Sequence, residues 1–148
     1  MRNYFDKNGN LRETIELSFE EFQQYFGTTP SRKEKIKTAL HFFKLFRSCG
    51  CNTVYIGGSF ASTKRNPNDI DLCFDLNSIN EAKFKKELPD LYGPNRFHKI
   101  SEIRRVLKCH VFTFESACTE IYRLLQVDKK GNPKGLIKIS LKNIDNYD

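Results

Sequence analysis

The sequence predicts an α+β domain. Segments with apolar residues at helical spacing mix with short β-branched and aromatic runs, and no regular strand–helix–strand series emerges. Clusters of Gly, Pro, Asn and Asp separate these segments as turns. With 148 residues, 39% of them apolar and 29% charged, the chain suits one domain, 1–148, with a core of its own.

The elements follow in order. Residues 1–30 read as a helical N-terminal extension. In it Ser18 and Glu21 form a capping box, and Phe19, Phe22 and Phe26 share one face of a short helix that stops at Gly27. After the break at Pro30, Ser31 is expected to cap a longer helix carrying Ile36, Leu40, Phe43 and Phe46, ending near Gly50. Asn52 to Ile56 reads as a buried strand running into Gly57, Gly58 and Ser59. Ile70 to Asp75 is a second strand. Its alternation puts Asp69, Asp71, Cys73 and Asp75 on one face and Ile70, Leu72 and Phe74 on the other. Asn77 or Ser78 is expected to cap a helix through Leu88, followed by a loop from Pro89 to Asn95. Arg104 to Glu115 reads as largely extended, clearest from Cys109 to Phe114, and Ser116 to Gln126 as a short helix. Residues 128–148 comprise a basic turn-rich loop and a last strand, Leu136 to Leu141.

Composition narrows the function classes. No run of 18 apolar residues exists and the start lacks the apolar stretch of a signal peptide, so a soluble cytoplasmic protein without a membrane partner is expected. Lys and Arg outnumber Asp and Glu by 25 to 18, a formal net charge of +7, which suits nucleotides or polyanions as partners and equally suits a solvated basic surface. Cys49 and Cys51 are too close together for a normal zinc pair and no second pair completes a site; the five cysteines read as reduced, buried thiols.

One stretch carries chemistry: Gly57, Gly58 and Ser59 at a strand end, nine residues from Phe60 to Asn68, then Asp69 and Asp71. Glycines let the backbone approach a bulky anion, and Ser59 offers a hydroxyl and an N–H to a phosphate oxygen. A side chain at Gly58 is expected to fill the phosphate's space while the strand tolerates it. Carboxylates at i and i+2 of a strand point the same way, and two such charges call for a cation between them, Mg²⁺ (or Mn²⁺) being the expected occupant. No Walker or GxGxxG pattern is present.

These residues resemble the signature of the polymerase-β-like nucleotidyltransferase superfamily: Gly58 and Ser59, a spacer, then Asp69 and Asp71 on the next strand. More narrowly, the chain is similar to small uncharacterised bacterial proteins of that superfamily, through its Phe-rich first helix, the run Pro67 to Asp71 and the closing segment Gly131 to Gly135. The resemblance implies a minimal nucleotidyltransferase fold, with a mixed sheet and helices packed mainly on one face. It also implies transfer of a nucleoside monophosphate from a nucleoside triphosphate to a hydroxyl on a protein or RNA. Carried over, Gly58 and Ser59 hold the triphosphate and Asp69 and Asp71 hold metal. Small members of the superfamily often resemble toxin–antitoxin or phage-defence components, which implies a protein partner encoded nearby.

The chain departs from the superfamily pattern at one place. A later strand should supply a third acidic residue, and here His110 stands where aspartate is expected, putting transfer in doubt more than nucleotide binding. The alternative is therefore an impaired nucleotidyltransferase-fold module that binds nucleotide or a partner protein, as an antitoxin or sensor. Lys64 and Arg65 lie in the loop between turn and carboxylates, a natural place to meet a triphosphate. Two further basic clusters, Arg104, Arg105 and Lys108, and Lys129, Lys130 and Lys134, also suit a solvated surface, and no aromatic platform for single strands is evident.

Overall fold

A computed structural model describes residues 3–75, 79–114 and 123–148. A five-stranded mixed sheet forms its centre, from β1 (Ile15–Leu17), β2 (Thr53–Gly57), β3 (Ile70–Asp75), β4 (Cys109–Phe114) and β5 (Ile137–Ser140). Their order across the sheet is β1-β5-β2-β3-β4, with β1 parallel to β5, β3 parallel to β4, and β2 antiparallel to both β5 and β3. The chain is thus an α+β protein.

Helices α1 (Phe19–Phe26) and α2 (Pro30–Ser48) follow β1, α3 (Glu81–Glu87) follows β3, and α4 (Arg96–Leu107) leads into β4. Register aligns Ile56 with Leu72 and Leu72 with Val111, so one sheet face is a continuous apolar surface. On it, Phe46 of α2 stacks on Phe74 of β3 with centroids 4.3 Å apart, and Phe84 of α3 meets the same ring at 6.0 Å. The side chains of α4 touch that core only at its rim, through the partly buried Ile100 and Ile103.

Several elements differ from their expected form. The N-terminal extension is not wholly helical: Ile15 and Leu17 bury in an edge strand, too short to show a period in the sequence. Thr29, not Ser31, caps α2; its hydroxyl accepts from the Arg32 N–H, and Pro30 takes the first helical position, where its missing N–H costs nothing. Asn80 caps α3, accepting from the Lys83 N–H, so that helix starts later than Asn77 or Ser78 would place it. Arg104 to Leu107 is helical rather than extended. It forms the last turn of α4, which Lys108 ends with a left-handed backbone at φ 57°. None of the α4 residues is fully buried, yet Phe97, Ile100, Ile103 and Leu107 recur at helical spacing, a signal the reading of this segment as extended passed over. The helix expected at Ser116 to Gln126 falls mostly outside the described residues, as does Glu115.

Cys49, Cys51, Cys73 and Cys109 are buried and, among the described residues, outside any disulfide; Cys118 lies outside the described residues. Among the described residues no helix is long and apolar enough to cross a membrane.

Candidate active site

The antiparallel pairing of β2 and β3 sets the site. Gly57 lies opposite Asp71, so the turn that follows β2 rises directly over the carboxylate strand. Gly58 to Ala61 form one turn of 3-10 helix there. Gly58 has φ 66°, a conformation L side chains rarely adopt, and an added Cβ would land on Asp71 Oδ2. This corrects the expectation that the strand tolerates a side chain at Gly58. Any side chain there strains the backbone and displaces Asp71 before it meets a phosphate.

Parallel pairing of β3 and β4 sets Asp71 beside His110. His110 Nδ1 is 3.8 Å from Asp71 Oδ1, too far for a hydrogen bond. Burial and then the Arg104 charge lower the His110 pKa, against the pull of Asp69, so the ring is neutral at neutral pH. Asp71 Oδ1 is buried and, among the described residues, accepts no hydrogen bond. Burial first, then the Asp69 charge, push the Asp71 pKa up to about 6. Above that pH the structure holds a buried anionic oxygen with no donor, next to a second carboxylate.

Asp69 is differently placed. Arg104 Nε donates to its Oδ2 at 2.9 Å from the last turn of α4. Sequence reading grouped Arg104 with a basic cluster but missed this pairing, because it read that segment as extended. Recognising the left-handed stop at Lys108 would have required a glycine or asparagine there.

Asp69, Asp71, Gly58, Ser59 and Lys64 all line one cleft of about 850 Å³. Its opposite wall is the loop after residue 126, which contributes Lys129, Lys130 and Lys134. Asp128 shapes that loop. It accepts the Asn10 side-chain amide at 3.0 Å, the Lys130 and Asn132 backbone N–H groups and the Asn132 side-chain amide. The Asn10 bond foremost, then the Asn132 N–H, hold its pKa down to about 2. Asp128 therefore stays ionised, satisfied by its own loop, and the three lysines are left facing the cleft. Burial lowers the Lys134 pKa, while Asp71 and then Asp128 oppose the shift.

Two sequence-selected residues serve elsewhere. A Cβ on Gly57 would meet Leu136 Cδ2 at 3.1 Å and Leu125 Cβ at 3.2 Å, so its smallness allows close packing rather than a phosphate's approach. Arg65 is exposed and does not line the cleft; its carbonyl accepts from the Thr29 hydroxyl at 3.3 Å. What holds the loop between Phe60 and Lys64 is a residue that sequence reading passed over. Arg32, 2% exposed, donates to the carbonyls of Phe26, Phe60, Ser62 and Lys64.

The donor set suits a hard divalent cation. An orphaned anionic oxygen on Asp71, with Asp69 close by, provides one or two carboxylates, the number Mg²⁺ usually takes alongside substrate phosphates. Among the described residues no group of three or more His, Cys, Asp or Glu gathers as a metal cage.

Fold and site together define an α+β protein with a basic cleft, a left-handed glycine turn and a buried carboxylate at the cleft floor. Residues 3–140 match a family of unknown function, DUF6932, and the chain belongs to that family. No curated protein and no solved structure matches it.

Proposed function

We propose that the chain is a metal-dependent nucleotidyltransferase that takes a nucleoside triphosphate and an acceptor hydroxyl. The observation that carries this reading is the unpartnered Asp71 oxygen beneath the Gly58 turn, in a cleft walled by lysines. Lys64, Lys129, Lys130 and Lys134 draw the triphosphate in, and Ser59 offers its N–H and hydroxyl to a phosphate oxygen. Asp71 and Asp69 would hold the divalent cation, Asp69 exchanging its bond to Arg104 for it. The cation, when bound, neutralises charge on the phosphates and on the departing pyrophosphate. In the transfer, the acceptor oxygen bonds to the α-phosphorus. The bond from that phosphorus to the oxygen bridging to the β-phosphate breaks, and pyrophosphate leaves with the electron pair. The neutral His110 imidazole accepts the hydroxyl proton. A cytoplasmic site of action is part of the same proposal, supported by four buried cysteines that form no disulfide among the described residues.

His110 also favours a second reading. It occupies the place beside Asp71 where the superfamily resemblance calls for a third carboxylate, which suits a module that binds nucleotide without transferring it. One experiment separates the two. The protein is incubated with each labelled nucleoside triphosphate in Mg²⁺ or Mn²⁺, with and without RNA and the neighbouring-gene protein. Label transfer that Asp69→Asn with Asp71→Asn abolishes supports the enzyme, and His110→Ala should then slow it at least tenfold. Metal-dependent binding without transfer, converted to transfer by His110→Asp, supports the module. Calorimetry showing no metal-dependent nucleotide binding, or equal binding by the double carboxylate variant, overturns both.

A further inference from the structure

The last turn of α4 belongs to two hollows. On one side Arg104 and Asp69 face the lysine-walled cleft; on the other, with Asn68, Ser101, Arg105 and Lys108, they line a groove of about 400 Å³. The pair Arg104–Asp69 is the ridge between them. Among the described residues no apolar side chain lines the groove. Three cations meet one carboxylate there, and Arg104 already neutralises that carboxylate.

The helix face that lines the groove runs on beyond it. Phe97, Ser101, Arg104 and Lys108 are spaced by four, three and four residues, which puts them on one face of α4, about 16 Å from end to end. Phe97 is 71% exposed, the most exposed of the large apolar side chains described, and the Arg96 guanidinium lies 4.6 Å from its ring centroid. An aromatic face in water followed by a line of cations is poor surface for a folded monomer. It is good surface for an unpaired base followed by backbone phosphates.

We propose that the Phe97–Lys108 face of α4 is an acceptor track for single-stranded nucleic acid, resting on the transferase reading above. A base stacks on Phe97, a phosphate lies among Arg105, Lys108 and Ser101, and the strand's terminal hydroxyl reaches the carboxylates across the Arg104–Asp69 ridge. Donor and acceptor enter from opposite sides of that ridge. An acidic peptide could satisfy the cations but would leave Phe97 without use, so stacking is the point that separates the two acceptors.

The test uses the full chain and a fluorescein-labelled 12-nucleotide RNA, its DNA counterpart and a duplex of equal length, with polarisation read from 50 to 200 mM salt. Mg²⁺-nucleoside triphosphate affinity is measured separately by calorimetry. Phe97→Ala should weaken single-strand binding at least fivefold with little change in salt dependence. Arg105→Glu with Lys108→Asn should weaken it at least tenfold and flatten the salt slope, asparagine being chosen because it tolerates the left-handed backbone. Both variants should leave nucleotide affinity within twofold, and the duplex should bind more weakly than the single strand. Unchanged RNA affinity in both variants overturns the track. Tighter duplex binding with a silent Phe97→Ala also overturns it, as does an acidic peptide that binds where RNA does not. Equal losses of RNA and nucleotide affinity would show one undivided basic cleft and overturn it too. If RNA binding follows the α4 face while no nucleotide binds, the track stands and the transferase reading falls.

Discussion

The Asp71 carboxylate lies 16% exposed beneath Gly58, and its pKa rises from 3.8 to about 6 through burial and the neighbouring Asp69 charge. A raised carboxylate pKa means that the folded state binds the proton more tightly than the unfolded state. The stability this contributes is complete below pH 3.8 and is lost as pH rises to about 6. At neutral pH the ionised group therefore works against the fold, by roughly 3 kcal/mol at most. Asn fills the same volume without the charge. Asp71→Asn should raise the unfolding free energy at pH 7.5 by about 1–3 kcal/mol, and the gain should vanish near pH 4. Urea unfolding at the two pH values checks this. A second measurement gives the functional side: Mg²⁺ should stabilise wild type above pH 6 and leave the variant unmoved. An equal change at both pH values would show that the substitution acts through packing.

Helix α2 carries the loop that sets the carboxylates. Its first turn contains Arg32, which spreads Nε, Nη1 and Nη2 over carbonyls of the α1 end and of the loop beyond Phe60, and lies 4.6 Å from the Phe60 ring centroid. Among the described residues no carboxylate forms a salt bridge with it, and burial lowers its pKa to about 10. The planar five-donor fork is what serves four carbonyls at once. Arg32→Met should cost at least about 3 kcal/mol, since each orphaned buried carbonyl costs roughly 1–3 kcal/mol. Arg32→Lys should recover less than half of the loss, because an ammonium cannot span those acceptors. Denaturant unfolding of both variants measures it; a loss below about 1 kcal/mol would mean water serves the carbonyls instead. Nothing in the sequence distinguishes Arg32 from the lysines around it, since its role depends on a loop 30 residues later. Elements with a repeated apolar stripe were legible: α1 and α2 through their phenylalanines, β2 and β3 through β-branched runs and alternation. The strand β1 has three residues, too few for a period, whereas α4 did offer a stripe in Phe97, Ile100, Ile103 and Leu107, which interleaved cations and a lysine in place of a stop glycine masked. The carboxylate pair and the Gly58 turn were legible because they lie close in sequence. The Arg104 bond and the Asp128-shaped lysine loop join distant segments, and only the sheet brings them together.

At the scale of the whole molecule the sheet separates stability from chemistry. One face carries the phenylalanine core; the other begins with Asp71 and His110 side by side in register. The cleft, which Asp71 lines and His110 does not, is assembled from four stretches: Asn8 and Asn10, the segment Gly58 to Asp71, Arg104, and the loop Val127 to Lys134. The bond from Asn10 to Asp128 joins residues 118 apart in the chain, close to its two ends. A ligand filling this cleft must therefore fasten together segments that the chain itself joins by few bonds. Its binding free energy adds to global stability, about 2.7 kcal/mol at a hundredfold excess over Kd. It should also suppress local opening in all the segments at once. Hydrogen exchange with and without Mg²⁺-nucleoside triphosphate reads this directly. Protection should rise together in residues 8–11, 58–64 and 127–135, while α2, already buried, should change little. Asn10→Ala cuts the side-chain tie to Asp128 but leaves the Gly135 N–H on the Leu11 carbonyl, so protection should stay at 58–64 and 133–135 and fall at 127–132. Protection confined to 127–135 in wild type would mean that phosphate only adheres to exposed lysines. In that case the carboxylate floor takes no part in binding, and the cleft is two surfaces rather than one site.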